Sequence, residues 1–400
     1  MGTLMSGIRV WGGVVMVFMV GVGSEAAEPV VTVIEPSPVE ASAGAVLVRG
    51  VDLIQTSQLL PRQAAGSDIG AQTTDVLDQL AEHLDAANGG LDRLVKLHVY
   101  VAGDERADAV RAVLKGRLNA ESLPAVSWVT TSLPDEAALV AMDAIGWRTA
   151  PSGEHAIEIL EVDGQAVSIL PAGTDVRAYV SGQAEKGDGS VVDATGQTMA
   201  SLLKTLQFLQ LAPHGVVQVK AFVTPISSHE EVRQTIADAF LPGRCPPISL
   251  VEWESSLPIE IELVAGDVEA AVEGRAGVEF LTPPGMTTPT VYCRVARVQH
   301  EATIFVSGLY GSQSDPDSEA ELRELFETTR RLVEAGGSDL RHLVKATYYV
   351  SATGSNAQHN KLRPEYYDPH RPPAASKAQV RGVGRAGRTI TWDMIAIPKP

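Results

Sequence analysis

An α+β fold built from three copies of one unit is what the 400-residue sequence predicts, and internal repetition carries that expectation. Lys96, Lys220 and Lys345 sit in similar apolar runs at 94–101, 217–223 and 343–350, and stand 124 and 125 residues apart. Ser57, Ser181 and Ser307 repeat at 124 and 126. Leu133-Pro134 and Leu257-Pro258 repeat at 124, and Pro124, Pro247 and Pro373 at 123 and 126. A solenoid repeat is far shorter, so one shared period of this length describes whole domains. Within each copy, strands of period two alternate with helices of period 3.6, which gives the α+β class.

The elements follow in order. Arg9 precedes an apolar run at 10–23, and Ser24-Glu25-Ala26 supplies small residues for a cut after Ala26. This pattern predicts a signal peptide at 1–26. The run is short for a bilayer span, which takes about 20 apolar residues. An uncleaved N-terminal anchor is the alternative. The expectation is therefore an exported chain, periplasmic or secreted, with no stable membrane association once the signal is cut. Residues 27–44 read as a lead-in segment, and the copies as 45–150, 151–268 and 269–400. Each copy opens on a strand, at 45–49, 176–180 and 302–306. A helix follows, with one apolar stripe: Val76, Leu77, Leu80 and Leu84 in the first copy, Met199, Leu202, Leu203, Leu206 and Leu209 in the second, Leu322, Leu325, Phe326, Leu332 and Val333 in the third. Asn88-Gly89-Gly90 and Gly336-Gly337 end the outer two helices. The Lys-bearing strand, a second helix and a last strand pair around Leu-Pro complete the copy. Ser228-His229-Glu230-Glu231 and Ser318-Glu319-Ala320-Glu321 read as capping boxes.

Composition excludes several classes. Hydrophobic residues at 44% and charged residues at 20% describe an ordinary globular chain. A net charge of −17 argues against nucleic acid as a partner, because phosphate binding needs a basic face. Cys245 and Cys293 allow one disulfide at most and fit no metal or haem spacing. The nine histidines form no metal-type pair; His359 and His370, flanking Tyr366-Tyr367, read as surface or cap residues. The glycine-rich stretch at 382–388 lacks the Lys-Ser/Thr end of a phosphate loop and reads as a turn between strands.

Several of these features together resemble a known family. They are the strand leading into a Ser-Gly turn, the helix ending in Gly-Gly, and the Leu-Val-Lys strand. Arg371-Pro372-Pro373-Ala374-Ala375-Ser376-Lys377 follows in the third copy, and closing strands run at 142–146, 257–265 and 392–396. Each unit is similar to a RidA-type domain, the reactive intermediate deaminase (YjgF-type) family also labelled endoribonuclease L-PSP. The resemblance implies a chorismate-mutase-like fold for each copy and homotrimeric assembly. Three tandem copies would then form an intramolecular pseudo-trimer, with a central sheet barrel and outer helices, and a monomeric chain. Closing such a ring would also cover each apolar sheet face.

The resemblance further implies hydrolysis of small enamines and imines, without metal or organic cofactor, in clefts between neighbouring units. There an arginine in the Pro-Pro-Ala-Arg-Ser segment grips a substrate carboxylate, a glutamate of the last strand positions water, and the Ser-Gly turn supplies backbone contacts. Carried onto this sequence, Glu260 is the catalytic residue, and Ser376, Lys377, Ser307, Gly308, Ser181 and Gly182 are substrate-binding, with a small anionic molecule as ligand. The arginine is missing from every copy. Ala375 stands there in the third, Ser249 or Ile248 in the second, Ala125 or Val126 in the first. The glutamate position holds Ala141 and Thr391 outside the second copy. Lys377, two residues beyond Ala375, projects to the same face of an extended strand. It reads either as a point-charge contact for the carboxylate or as a solvated surface lysine. Glu260 reads either as a cleft acid or as an outward strand carboxylate. The function expected is an imine or enamine deaminase acting at inter-repeat clefts. The alternative is a non-catalytic pseudo-trimer that binds a small ligand or a partner.

Overall fold

A computed structural model describes residues 30–62, 65–150, 156–172, 176–267, 277–313 and 315–400; the expected signal peptide at 1–26 lies outside them. One order of elements, three strands, helix, strand, helix and two strands, runs three times along the chain. The first run is β1 Val30–Ser37, β2 Ser42–Arg49, β3 Val51–Thr56, α1 Ile69–Ala86, β4 Leu94–Val101, α2 Ala107–Arg117, β5 Ala125–Thr130 and β6 Val140–Thr149. The second is β7 Glu158–Val162, β8 Gln165–Leu170, β9 Val176–Gln183, α3 Val191–Leu209, β10 Val216–Val223, α4 His229–Ala237, β11 Ile248–Glu252 and β12 Ile259–Asp267. The third is β13 Gly277–Leu281, β14 Val295–Gln299, β15 Ala302–Val306, α5 Glu319–Ala335, β16 Leu343–Val350, α6 Thr353–Tyr366, β17 Ala374–Gln379 and β18 Ile390–Ala396.

The helices form where the stripes placed them. Asp68 caps α1 by accepting from the Ala71 amide, Ser190 caps α3 through Asp193, and Ser318 caps α5 through Glu321. The stripes of α1 and α5 are fully buried against their sheets. The second capping box does not form. Ser228 closes a short 3-10 turn, and its hydroxyl makes no cap bond. His359 is another correction. It is fully buried among Phe326, Tyr348 and Trp392, and burial holds its imidazole well below the usual range, so it packs as a neutral ring. Both cysteines are free thiols.

Strand pairing shows a cyclic exchange of hairpins. The sheet order β5-β4-β6-β3 of the first copy continues into β8-β7, which belong to the second. The second copy's β11-β10-β12-β9 continues into β14-β13 of the third. The third copy's β17-β16-β18-β15 continues into β2, with β1 on β2, so the chain's first hairpin completes its last sheet. The segment read as a lead-in at 27–44 is thus largely strand. The strand leading to Ser57 is β3, the counterpart of β9 and β15, and not the run at 45–49.

A parallel pairing at Ala43 and Ala125 joins the first and third sheets into one of twelve strands, while the second stays apart with six. Both sheets are open, so the expected central barrel is not a closed ladder. Between the six-stranded sheet and the third copy's part of the larger one, contact runs through an isolated bridge from Cys293 to Ala374, a backbone bond from the Glu254 amide to the Gln379 carbonyl, and side chains. β4, β10 and β16 are buried along their whole length, as strands covered on both faces must be.

Candidate functional site

Register identifies the equivalent positions. His98 pairs with Asp143 and Ser127, Lys220 with Glu262 and Ser249, and Thr347 with Asp393 and Ser376. Lys220 is therefore the counterpart of His98 and Thr347, and Gln218 is the counterpart of Lys96 and Lys345. The lysine marker compared positions two residues out of step, whereas the serine marker is in register.

These inward positions build a sealed polar centre where the copies meet. His98 lies 2.6 Å from Asp143 through Nδ1 and 2.6 Å from Asp393 through Nε2. Both nitrogens face carboxylates, so both donate only when the ring is an imidazolium. Tyr100 and Ser249 donate to Asp143 at 2.6 and 2.7 Å. Lys96 pairs with Asp393 at 2.7 Å and Lys345 with Glu262 at 2.5 Å. Burial pushes the Asp143 carboxyl upward, but His98 outweighs it and draws the group down to about 2. Asp393 is held well below its usual range by Lys96 and His98 against the same burial. Burial pulls Lys96 down. Its contacts tie the copies to one another: His98 to Asp393, Ser249 to Asp143, and Lys345 to Glu262.

Outside the centre, the serine turn of each copy faces the parallel strand of the next, giving three clefts. The cleft between the second and third copies gathers five of the seven predicted residues: Glu260, Ser181, Gly182, Ser376 and Lys377. The Gly182 amide donates to the Ser376 hydroxyl at 3.0 Å. A Cβ at Gly182 would run into the Glu260 side chain, which would have to move to make room for it. The Ser181 amide donates to the Arg294 carbonyl, and its buried hydroxyl has no partner among the described residues. Burial and the neighbouring Glu262 push Glu260 up to about 7, against hydrogen bonding from Ser376 and the charges of Arg294 and Lys377. Glu260 thus lies against the Ser181-Gly182 turn in this cleft. Lys377 is half-buried on the same strand as Ser376. Its ammonium donates to Asn356 at 2.7 Å and Asn360 at 2.9 Å, and burial, with Arg363 nearby, lowers it to about 8.

Ser307 and Gly308 line a different cleft, between the third and first copies. Ser307 donates to the Ala43 carbonyl and accepts from the Val126 amide at 2.8 Å. Gly308 donates to the Val126 carbonyl at 2.9 Å, with Thr391 beside it. The cavity here holds about 200 Å³. In the remaining cleft, between the first and second copies, Ser57 donates to Ala166 and Gln58 bonds the backbone of Ile248 and Leu250. Its cavity is about 500 Å³ and includes Arg233 and Cys245. Burial raises the Cys245 thiol to about 11, which leaves it a poor nucleophile at neutral pH.

Register also places the absent arginine. Val126, Ile248 and Ala375 each precede the inward serine of their strand. Arg111 on α2 and Arg233 on α4 reach two of the clefts from the second helices, and Arg385 reaches the first of these from the loop before β18. The signal of the two helix arginines in the sequence is a Val-Arg pair at 110–111 and 232–233, each beginning nine residues after a Lys-bearing strand ends.

Residues 48–147 and 288–397 match the family model described as Endoribonuclease L-PSP. Among curated proteins, none matches. Similar solved structures include a YjgF-family protein from Neisseria meningitidis, 19% identical, covering 31% of this chain and 96% of its own, with a TM-score of 0.23. A YjgF/YER057c/UK114-family protein from Mycobacterium tuberculosis is 26% identical over 30% of this chain and 100% of its own, at 0.21. RidA from the Antarctic bacterium Psychrobacter is 23% identical over 24% of this chain and 79% of its own, at 0.21.

Proposed function

The chain belongs to the endoribonuclease L-PSP family, and on that premise we propose that it is a hydrolytic deaminase of small imines and enamines, working in the cleft between its second and third copies. The observation that carries this reading is Glu260, a half-buried carboxyl whose pKa is raised to about 7 beside Ser376, Gly182 and Lys377. A base with a pKa near the working pH is suited to moving protons to and from water. Ionised Glu260 takes a proton from water as the water oxygen bonds to the imine carbon and passes that proton to the nitrogen, giving a carbinolamine. Glu260 then takes the carbinolamine's hydroxyl proton and hands it to the nitrogen as the C–N bond breaks, so that ammonia leaves a carbonyl product and Glu260 is again ionised. Lys377 spends two of its three donors on Asn356 and Asn360, which leaves one for a substrate carboxylate. The three copies act as an intramolecular pseudo-trimer in a monomeric chain, a reading supported by the cyclic exchange of hairpins.

A second reading, a ligand-binding pseudo-trimer without catalysis, is favoured by Ala375 in the arginine position and by Ala141 and Thr391 in the glutamate position. An assay of ammonia release from freshly generated imines separates the two. The deaminase reading expects a rate above buffer that Glu260→Gln abolishes. No rate above buffer across several imines leaves the binding reading.

A further inference from the structure

Register makes three positions on the parallel strands equivalent: Trp128 opposite Val99, Leu250 opposite Ala221 and Lys377 opposite Tyr348. The helix residue thirteen positions beyond His98, Lys220 and Thr347 is Arg111, Arg233 and Asn360 in turn. In the first copy the cation is on the helix, and Arg111 lies 4.7 Å from the centroid of the Trp128 ring. In the third copy the cation is on the strand, and the helix offers a neutral amide.

Asn356 and Asn360 lie one turn apart on one face of α6. Both side-chain oxygens accept from the Lys377 ammonium, at 2.7 and 2.9 Å. The Asn360 oxygen accepts a second bond, at 3.0 Å, from the Arg363 guanidinium. Two cations therefore share one neutral oxygen. Like charges this close disfavour each other's charged form, and the lysine is the one able to give up its proton. Lys96, Lys345 and Lys361 face the carboxylates of Asp393, Glu262 and Glu319. The hydrogen bonds of Lys377 and Arg363 go to asparagine oxygens instead. The buried Arg363 Nε has no partner among the described residues, and its guanidinium lies 5.6 Å from the Tyr348 centroid. His359, also on α6, stays neutral and adds no charge. Burial and Arg363 lower Lys377 to about 8, and Glu260 counters this by less than Arg363 adds. Roughly a tenth of such an amine is neutral at pH 7, against less than about a thousandth for an ordinary lysine. Lys377 is half-buried rather than sealed, so a small molecule reaches its amine.

We propose that Lys377 is a carbonyl-capturing nucleophile, which condenses with small aldehydes and ketones in the cleft between the second and third copies and holds them as an imine. The neutral nitrogen adds its lone pair to the carbonyl carbon. The carbonyl oxygen gains a proton as the nitrogen loses one, and a carbinolamine forms. That oxygen then leaves as water with the nitrogen's other proton, and the C=N bond remains. Amine and carbonyl give imine and water, so no oxidant or reductant enters. A lysine beside a second cation is a recurrent way to make an amine nucleophilic. The charged majority of Lys377 keeps the carboxylate contact described above, and the neutral fraction captures. This inference needs the Asn356, Asn360 and Arg363 cluster and does not depend on hydrolysis at Glu260.

Reductive trapping of the full chain tests it. The protein is incubated at pH 7.5 with butanal and sodium cyanoborohydride, whose hydride fixes the imine as a butyl amine. Peptide mass spectrometry then reads each lysine. Lys377 should be labelled at least about tenfold faster than the exposed Lys186 and Lys204, with a rate that reaches half its maximum near pH 8. Asn360→Asp places a carboxylate between the two cations and holds the ammonium charged. It should slow Lys377 about tenfold at pH 7.5 and leave Lys186 unchanged. Labelling of Lys377 no faster than Lys186 in the parent overturns the proposal. An Asn360→Asp protein labelled at Lys377 as fast as the parent overturns the shared oxygen as its cause. Since every readout is covalent labelling, a protein inactive in the imine assay leaves these outcomes unchanged.

Discussion

His98 of the first copy grips Asp393 of the third at 2.6 Å, while its other nitrogen grips Asp143 of its own copy. One ring thus bridges two buried carboxylates and ties the first copy to the third. His98→Leu leaves both acids short of a partner in a sealed interior. Breaking a buried pair in this way costs about 3–5 kcal/mol. Urea unfolding followed by circular dichroism should show a loss of that size. A loss below about 1 kcal/mol would mean the centre reorganises around the gap.

The same centre sets an acid limit. Asp143 and Asp393 titrate lower in the folded chain than their usual value near 4. Groups whose pKa falls on folding contribute stability that is complete above the unfolded value and is lost as pH drops through the folded one. Stability should therefore hold to about pH 4 and fall between about 4 and 2. In the His98→Leu protein the fall should be shallower, because the carboxyls lose the partner that depressed them. Chemical denaturation at a series of pH values checks both slopes.

Glu260 has the opposite sign. Its pKa rises on folding to about 7, so the folded chain binds the extra proton and stability declines from about pH 4 up to about 7. Glu260→Gln removes the cost of ionising it. The variant should match the parent at pH 4 and exceed it at pH 8 by up to roughly 3 kcal/mol. Activity needs Glu260 ionised and Lys377 charged, so the imine hydrolysis rate should rise through about 7 and decline through about 8. A profile that stays flat from pH 6 to 9 would remove both groups from the reaction.

The sequence disclosed the repeat, the helix stripes and the residues of the Glu260 cleft, because each is a local pattern. It misled where a pattern survives a shift. A strand repeats its faces every two residues, so moving Lys220 by two keeps every apolar position on its face. The slip becomes visible only when Glu262 and Ser249 are seen opposite Lys220. The fate of 30–49 was hidden for another reason: β2 pairs with β15, more than 250 residues away, and no local signal encodes that partner. Arg233 escaped notice because the family pattern places its cation on a strand, whereas Arg233 lies on α4.

That long-range pairing makes the last prediction. β2 lies along β15 from Ala302–Arg49 to Val306–Ala45, and β1 covers the outer edge of β2. Removing residues 1–49 strips both strands and leaves β15 as a bare edge carrying Ile304, Phe305 and Val306, residues that are fully or almost fully buried in the full chain. An exposed apolar edge is a template for pairing with another chain. Arg385 also loses Glu40, and the Ser307 hydroxyl loses the Ala43 carbonyl. The truncated chain should self-associate in light scattering and exchange its β15 amides rapidly, while β9, whose partner β14 is untouched, keeps its protection. A truncated protein with the parent's mass, melting temperature and β15 protection would mean that the first hairpin decorates the last sheet without completing it.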